Sequence, residues 1–341
     1  MVKDFELSIL IPTYNRAEQV RVTIDNFINQ IIENNLEDKV EIIVSDNAST
    51  DDTAILLKDY KEKYEKFFNY NINAQNLGFG GNVIELEKLA QGEYIWFCGD
   101  DDFYNKGLVD LICQIIEKNN LPDYITFDFS PTENNNSLLI YDTNKIIKTD
   151  TKSDIFKHIG ASRGFVSCNV FKRKIYLNTI SDNLIWRHYT KLLNMPENMT
   201  CIYYKDNCIF LNTPAAGNWF DNTIPYTVEI IVEIMKSNLN KEIKDLLLNI
   251  YKSRFIEFTI APTRKKYKIK YIKEAHMLKE QCNLYNYDWD VEICILENTV
   301  TLEQINKLKK YAKLLSCICP MKNLRHKLRK KLLETFIKIN K

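Results

Sequence analysis

The chain has 341 residues and 45% hydrophobic content, enough for a sizeable core and for two domains or one large domain with an appendage. A formal net charge of +1 argues against a general nucleic-acid binder, but the charge is uneven: residues 305–341 hold 12 Lys and Arg against the single acid Glu334, leaving 34 bases against 44 acids before them. Nine scattered cysteines with no C-x-x-C pair or zinc spacing, no signal-peptide pattern and no apolar run of ~18 residues lead to the expectation of a cytoplasmic protein with reduced thiols that crosses no membrane.

Residues 7–12 are short, apolar and mostly branched, as in a parallel strand buried on both faces. In the following Thr13-Tyr14-Asn15-Arg16-Ala17-Glu18, Asn15 and Glu18 have the spacing of an N-cap and its reciprocal partner, predicting a helix over 16–33. The pattern repeats: a strand over 40–44 closes on Ser45-Asp46-Asn47-Ala48, and Ser49 with Asp52 has capping-box spacing before a helix to 66. A third strand is expected at 68–72, then the Gly-rich Asn76-Leu77-Gly78-Phe79-Gly80-Gly81-Asn82, with Asn82 and Glu85 as the next cap and a helix ending near Gly92. The fourth apolar run, from Tyr94 to Cys98, ends in Gly99 and three consecutive carboxylates, Asp100, Asp101 and Asp102.

Strands and helices alternating at these lengths predict an α/β fold with a mainly parallel, doubly wound sheet, whose ligands bind beyond the carboxyl ends of the strands. All four polar loops fall at those ends, so Thr13, Asp46, the Gly-rich loop and the Asp triplet are expected on one rim. Three adjacent ionised carboxylates repel one another and, against a core, need solvent or a cation. Oxygen-only ligands suit a hard divalent ion, Mg or Mn. Taken singly, each loop reads equally as an ordinary turn. The Gly-rich stretch completes neither a P-loop nor a G-x-G-x-x-G fingerprint, and Asp46 serves a turn as readily as a ribose hydroxyl or a base N–H.

Together, Ile9-Leu10-Ile11-Pro12-Thr13-Tyr14-Asn15-Arg16, Ile43-Val44-Ser45-Asp46-Asn47-Ala48-Ser49-Thr50-Asp51, Asn76-Leu77-Gly78 and Phe97-Cys98-Gly99-Asp100-Asp101-Asp102 resemble the family 2 glycosyltransferases of GT-A fold, closely over about the first 110 residues and loosely to 220. The Gly-Asp-Asp-Asp form is similar to the abequosyltransferase-like branch of bacterial surface-glycan enzymes. The resemblance implies a nucleotide-sugar donor, a saccharide or lipid-linked saccharide acceptor, a divalent metal cofactor (Mn or Mg) and inversion at the transferred sugar. It implies that Pro12, Thr13, Tyr14 and Asp46 hold the nucleoside, with Asn15, Arg16, Asn76 and Gly78 on the same donor rim, and that the triplet holds the diphosphate through the metal. Many relatives read Asp-Ser-Asp-Asp, so Gly99 is a departure. Asp101 is the first candidate metal ligand, Asp102 the candidate in an Asp100-x-Asp102 register, and the remaining carboxylate, Asp100, faces the donor sugar or ribose. The competing classes are a sugar nucleotidyltransferase, whose Gly-rich loop after the first strand is lacking here, and a non-catalytic glycan-binding relative.

Further along, strands are expected at 124–129, at 138–141 after a turn at 134–137, and at 165–173. In Ser181-Asp182-Asn183-Leu184-Ile185-Trp186-Arg187-His188, the resemblance makes Asp182 a candidate catalytic base, with capping of a helix from about 183 as its alternative. His188 is a second candidate, or a partly buried helix residue. Trp186 and Trp219 suit sugar stacking and core packing equally. Residues 201–204 and 208–211 suggest a hairpin, and 213–222 a lid that excludes water.

From 225 onward helical periodicity takes over, at 227–235, 241–260, 268–284 and 302–315, so 1–224 is expected to be the GT-A domain (1–110 donor half, 111–224 acceptor half) and 225–341 a helical region. Residues 321–339 pair a leucine stripe with a basic face. That pattern fits a solvated helix, or an interfacial helix making peripheral contact with an anionic membrane, here the cytoplasmic face of the inner membrane.

Overall fold

The structure is a computed structural model that describes residues 5–130, 138–160, 164–210, 223–260 and 272–287. The turn at 134–137, the lid at 213–222 with Trp219, the helix at 302–315 and the basic segment at 321–339 lie outside the described residues. The chain divides into two units, Met1–Gly217 with Ser237–Leu246, and Asn218–Lys236 with Leu247–Lys341.

The first unit opens with β1 (Leu7–Thr13), α1 (Ala17–Glu33), β2 (Val40–Asp46), α2 (Thr53–Lys63), β3 (Phe68–Ile72), α3 (Gly78–Leu89) and β4 (Tyr94–Phe97). All four strands are parallel, in the order β3-β2-β1-β4, as the alternating pattern predicts. Every residue of β1, β2 and β4 is buried, because helices cover both faces of a parallel sheet and leave no solvated side for polar residues. Edge strand β3 is only partly buried.

The sheet then becomes mixed. After β5 (Phe103–Tyr104), α4 (Leu108–Lys118) and β6 (Tyr124–Ser130) come β7 (Ile146–Thr151), α5 (Lys152–Ile159), β8 (Asn169–Lys172), α6 (Arg173–Asn178), α7 (Arg187–Asn194) and β9 (Asn198–Phe210). β8 lies between β4 and β6, antiparallel to both, and β9 runs parallel to β6 and antiparallel to β5 and β7. Among the described residues the result is one nine-stranded sheet. Its core gathers Phe27, Trp96 and Tyr104 in mutual ring contact, with centroids 4.6–5.5 Å apart.

Several local expectations are corrected. Residues 138–141 form no strand, and the strand expected over 165–173 is confined to β8, preceded by a 3-10 turn at Val166–Cys168 and followed by α6. The expected hairpin is the single strand β9. The polar Lys205-Asp206-Asn207, which resembles a turn, is absorbed as a bulge where the β6–β9 register shifts around Asp128, and Asp206 accepts a hydrogen bond from Lys145 Nζ at 2.7 Å.

The three anticipated N-caps do not form either. Asn15, Ser49 and Asn82 are engaged elsewhere, and the first N–H groups of α1 and α2, at Ala17 (3.0 Å) and Thr53 (3.1 Å), are instead accepted by the Asp51 carboxylate. The helix expected from 183 begins instead at Arg187, and Asn183 Oδ1 accepts from the Trp186 backbone N–H at 2.6 Å.

The second unit is helical in its described part. It contains α8 (Thr223–Lys236), residues of α9 (Lys241–Ile260), which also contributes to the first unit, and α10 (Ile272–Tyr285). α8 and α10 pack together, and Val228, Ile231 and Met235 of α8 and Leu278 and Cys282 of α10 are buried. No described helix is long and apolar enough to cross a membrane. The described cysteines Cys98, Cys113, Cys168, Cys201, Cys208 and Cys282 are all buried.

Candidate active site

The carboxyl ends of β1 and β2 stop in register, Thr13 beside Asp46. The chain leaves both through left-handed residues, Asn15 at φ 52° and Ala48 at φ 63°. Asp46 is buried. Its Oδ1 accepts from the Ser49 backbone N–H (3.0 Å) and hydroxyl (2.5 Å), while its Oδ2 is buried with no hydrogen-bond partner in the described residues. Leaving a buried acceptor unpaired costs roughly 1–3 kcal/mol, more if charged, so a ligand hydroxyl or N–H there would recover that cost. Pro12 is buried beneath this rim, and Tyr14 stands 42% exposed above it. Asn15 does not cap α1. Its Oδ1 accepts from Thr50 N–H at 2.8 Å and so ties the loop after β1 to the loop after β2.

A chain of asparagines fixes the Gly-rich segment to the same edge. Asn47 Nδ2 donates to Asn76 Oδ1 (2.9 Å) and Gly78 O (3.2 Å), and its Oδ1 accepts from Leu77 N–H (2.9 Å) and Asn73 Nδ2 (3.1 Å). Asn73 Nδ2 also donates to Asn82 Oδ1 (2.9 Å), and Asn82 Nδ2 donates to Ser45 O (2.8 Å). Gly78 turns the chain into α3 at φ +71°, where a side chain would be strained. Inside α3, Gly80 lets the backbone of residue 184 come close: a Cβ on Gly80 would lie 2.0 Å from Leu184 O.

The Asp triplet splits three ways. Asp100 accepts from Thr13 Oγ1 (2.8 Å) and Arg16 Nη1 (2.8 Å), and the same Arg16 nitrogen donates to Asp101 at 2.8 Å. Asp102 turns back into the fold and accepts from Ser167 Oγ at 2.6 Å, while that hydroxyl accepts from Gly99 N–H at 2.9 Å. A Cβ on Gly99 would sit 2.3 Å from Asp102 Oδ2.

Burial raises the Asp100 carboxyl to about 6 against the opposing pull of Arg16. It raises Asp102 to about 7 against the Ser167 hydrogen bond. One guanidinium thus faces three carboxylates, and the cluster would gain from a further cation. Among the described residues no three acidic, His or Cys side chains converge as a ready-made metal cage. The donor set nevertheless fits Mg or Mn, which keep most of their shell for water and phosphate oxygens and need only one or two protein carboxylates.

Asp182 is exposed on the 181–186 loop, which meets α3 at Gly80. His188 lies in the first turn of α7. Its ring is 4% exposed, its Nε2 lies 2.9 Å from Gly164 O, and burial pulls its pKa down to about 4. Trp186 is half-buried. Residues that sequence reasoning passed over include Ser167, Asn47, Asn73, and the pair Glu87 and Arg187. The run of asparagines at successive strand ends was a visible signal for the second and third; nothing local marks the others.

Comparison with known proteins agrees with this geometry. The family model described as Glycosyl transferase family 2 matches residues 8–178. Abequosyltransferase RfbV of Salmonella typhimurium is 40% identical over 96 residues, covering 28% of this chain and 28% of that protein. The poly(ribitol-phosphate) beta-glucosyltransferase of Bacillus spizizenii is 34% identical over 98 residues, 29% of this chain and 15% of the relative. The matched stretch therefore spans less than a third of either relative. Among solved structures, S. aureus TarS 1-349 in complex with UDP-GlcNAc aligns over 91% of this chain and 88% of its own at TM-score 0.60 and 16% identity. Mannosyltransferase PcManGT from Pyrobaculum calidifontis, in complex with GDP-Man and Mn2+, aligns over 86% and 85% at TM-score 0.53 and 14% identity. At such identities the likeness is one of fold, and that fold is GT-A.

Proposed function

Because the chain belongs to glycosyl transferase family 2, we propose that it moves a sugar from a nucleoside-diphosphate sugar to a hydroxyl of a glycan or lipid-linked saccharide in surface-polysaccharide assembly, with a divalent metal and with inversion. The observation that carries this reading is the rim itself. A buried carboxylate oxygen of Asp46 without a partner among the described residues stands beside an acidic cluster held by Thr13 and Arg16, at the strand ends where α/β folds bind nucleotides.

In this reading the nucleoside lies along Pro12, Thr13 and Tyr14, with Asp46 Oδ2 accepting from it. Asn15 and Asn76 brace the two flanking loops, and Gly78 lets α3 begin close to the donor. Asp101, with Asp102 alongside, holds the metal, and Asp100 with Arg16 orients the sugar end. Bound there, the ion supplies Lewis-acid stabilisation of the leaving diphosphate. The chain's own residues do the rest: the rim orients the donor for in-line displacement, and Asp182 takes the proton from the acceptor hydroxyl. His188, buried on a carbonyl, packs α7. The basic, leucine-bearing segment at 321–339 is assigned to contact with anionic lipid that presents the acceptor.

The test is a screen of UDP-GlcNAc, UDP-glucose and GDP-mannose with Mn2+ or Mg2+, reading released nucleotide, for the wild type and Asp101→Asn. The expected loss in the variant is about a hundredfold, on the order of 3 kcal/mol of transition-state stabilisation. Near-full activity of Asp101→Asn would remove the triplet from the role given to it, and tight donor binding without turnover would favour a binding module.

A further inference from the structure

Behind the rim, a buried charge cluster joins α3 to the loop that carries Asp182. Glu87 of α3 is 7% exposed. Its carboxylate is gripped by the Arg187 fork, Nε to Oε1 at 2.7 Å and Nη2 to Oε2 at 2.8 Å. Tyr176 Oη donates to Oε1 at 3.0 Å, and Lys191 Nζ lies 3.6 Å from Oε2. The remaining arm of the guanidinium, Nη1, donates to Ser181 O at 2.7 Å. That carbonyl belongs to the residue immediately before Asp182.

The loop is tied at its other points as well. Ser181 Oγ lies 2.5 Å from Thr190 Oγ1, Asn183 Oδ1 accepts from Trp186 N–H at 2.6 Å, and the Leu184 carbonyl rests on Gly80. A bidentate guanidinium–carboxylate pair fixes direction as well as distance. Buried charges are costly unless they are paired, and a hydrophobic pair would fill the same space at similar or better stability. A charged fork whose free arm reaches the 181–186 loop therefore calls for a role beyond packing.

We propose that Glu87 is a positioning residue of the transfer reaction: through Arg187 it fixes the backbone at Ser181, and so sets the direction in which Asp182 meets the acceptor hydroxyl. This rests on the assignment of Asp182 as the base. Glu87 and Arg187 touch neither substrate in this view. They act by holding the loop, and a displacement of about 1 Å at a reacting group is enough to lower rates on the order of a hundredfold.

Two measurements on the full chain test it. Hydrogen exchange of residues 181–186 in Glu87→Gln should accelerate at least about tenfold while β1 and β4 stay protected; unchanged exchange would overturn the clamp without reference to any substrate. With the nucleotide-sugar that turns over in the screen above and Mn2+, Glu87→Gln should lose about ten- to a hundredfold in kcat with donor affinity within about twofold. Arg187→Lys, which keeps the charge but not the fork, should not restore the rate. Combining Glu87→Gln with Asp182→Asn should cost no more than Asp182→Asn alone.

Losses that multiply in the double variant would make the cluster merely structural and sink the proposal. So would a wild-type rate in Glu87→Gln beside a dead Asp182→Asn, which leaves the base assignment standing. Full activity of Asp182→Asn would instead overturn the base assignment, and the positioning role with it. Should Glu87→Gln fold poorly, joint replacement of Glu87, Arg187 and Lys191 by Met removes the cluster without leaving the buried Lys191 ammonium unpaired, and the same outcomes apply.

Discussion

The glycine that breaks the expected Asp-Ser-Asp-Asp pattern has a steric cause. Asp102 folds back over residue 99 to reach Ser167, and any side chain there would collide with its carboxylate. The departure was visible in the sequence, but its reason was not, because Ser167 is distant along the chain. His188 shows the opposite limit: its residue type suggested proton transfer, and burial leaves it neutral. Its depressed pKa carries a sign. Between about pH 6.5 and 4 the unfolded chain binds a proton at this residue that the folded chain refuses, so stability falls as pH drops through that window. The residue's share is on the order of 3 kcal/mol. In His188→Gln, which can still donate to Gly164 O, urea unfolding between pH 7 and 4 should show a shallower loss than the wild type; parallel curves would mean the imidazole is protonated in the fold.

At the scale of elements, the parallel strands were legible because their apolar runs are dense and short, and β1, β2, β3 and β4 lie within a residue or two of the expected bounds. The helix starts were not. Asn15, Ser49 and Asn82 carry the right chemistry for capping, but Asn15 and Asn82 are taken by the distant Thr50 and Ser45, and the Ser49 hydroxyl turns back to Asp46 while accepting from the distant Asn15 N–H. Those same bonds assemble the rim, so the misread caps were its unrecognised parts. α3 adds a prediction. An alanine at position 80 improves helix propensity by about 1 kcal/mol. Its Cβ, however, would press on the Leu184 carbonyl, a backbone atom that no rotamer change can move aside, and overpacking of this kind typically costs ~1–3 kcal/mol. The collision should win. Gly80→Ala is expected to unfold at lower urea concentration than the wild type, and a raised midpoint would show that the 181–186 loop yields freely.

For the whole molecule, the GT-A fold was readable from the order of the motifs, whereas the mixed half of the sheet was not, since β8 and β9 are defined by partners far away in sequence rather than by their own pattern. The charge imbalance between the body and residues 305–341 yields a further expectation. Each basic residue near an anionic bilayer contributes about 1 kcal/mol. The full chain should float with phosphatidylglycerol-containing liposomes at low salt, weakly at 0.5 M salt and not with neutral ones; failure to float at low salt would overturn the membrane contact proposed for residues 321–339. The bulged strand β9 bears on how the molecule comes to be. Strands β1, β2 and β3 find their neighbours through short βαβ steps, whereas β4 must return to β1, and β9 must pair Phe210 with Phe103 and Tyr203 with Thr126, across long stretches of chain, which is entropically slow. On a growing or refolding chain, β1, β2 and β3 should therefore gain protection first, and β9 should close last.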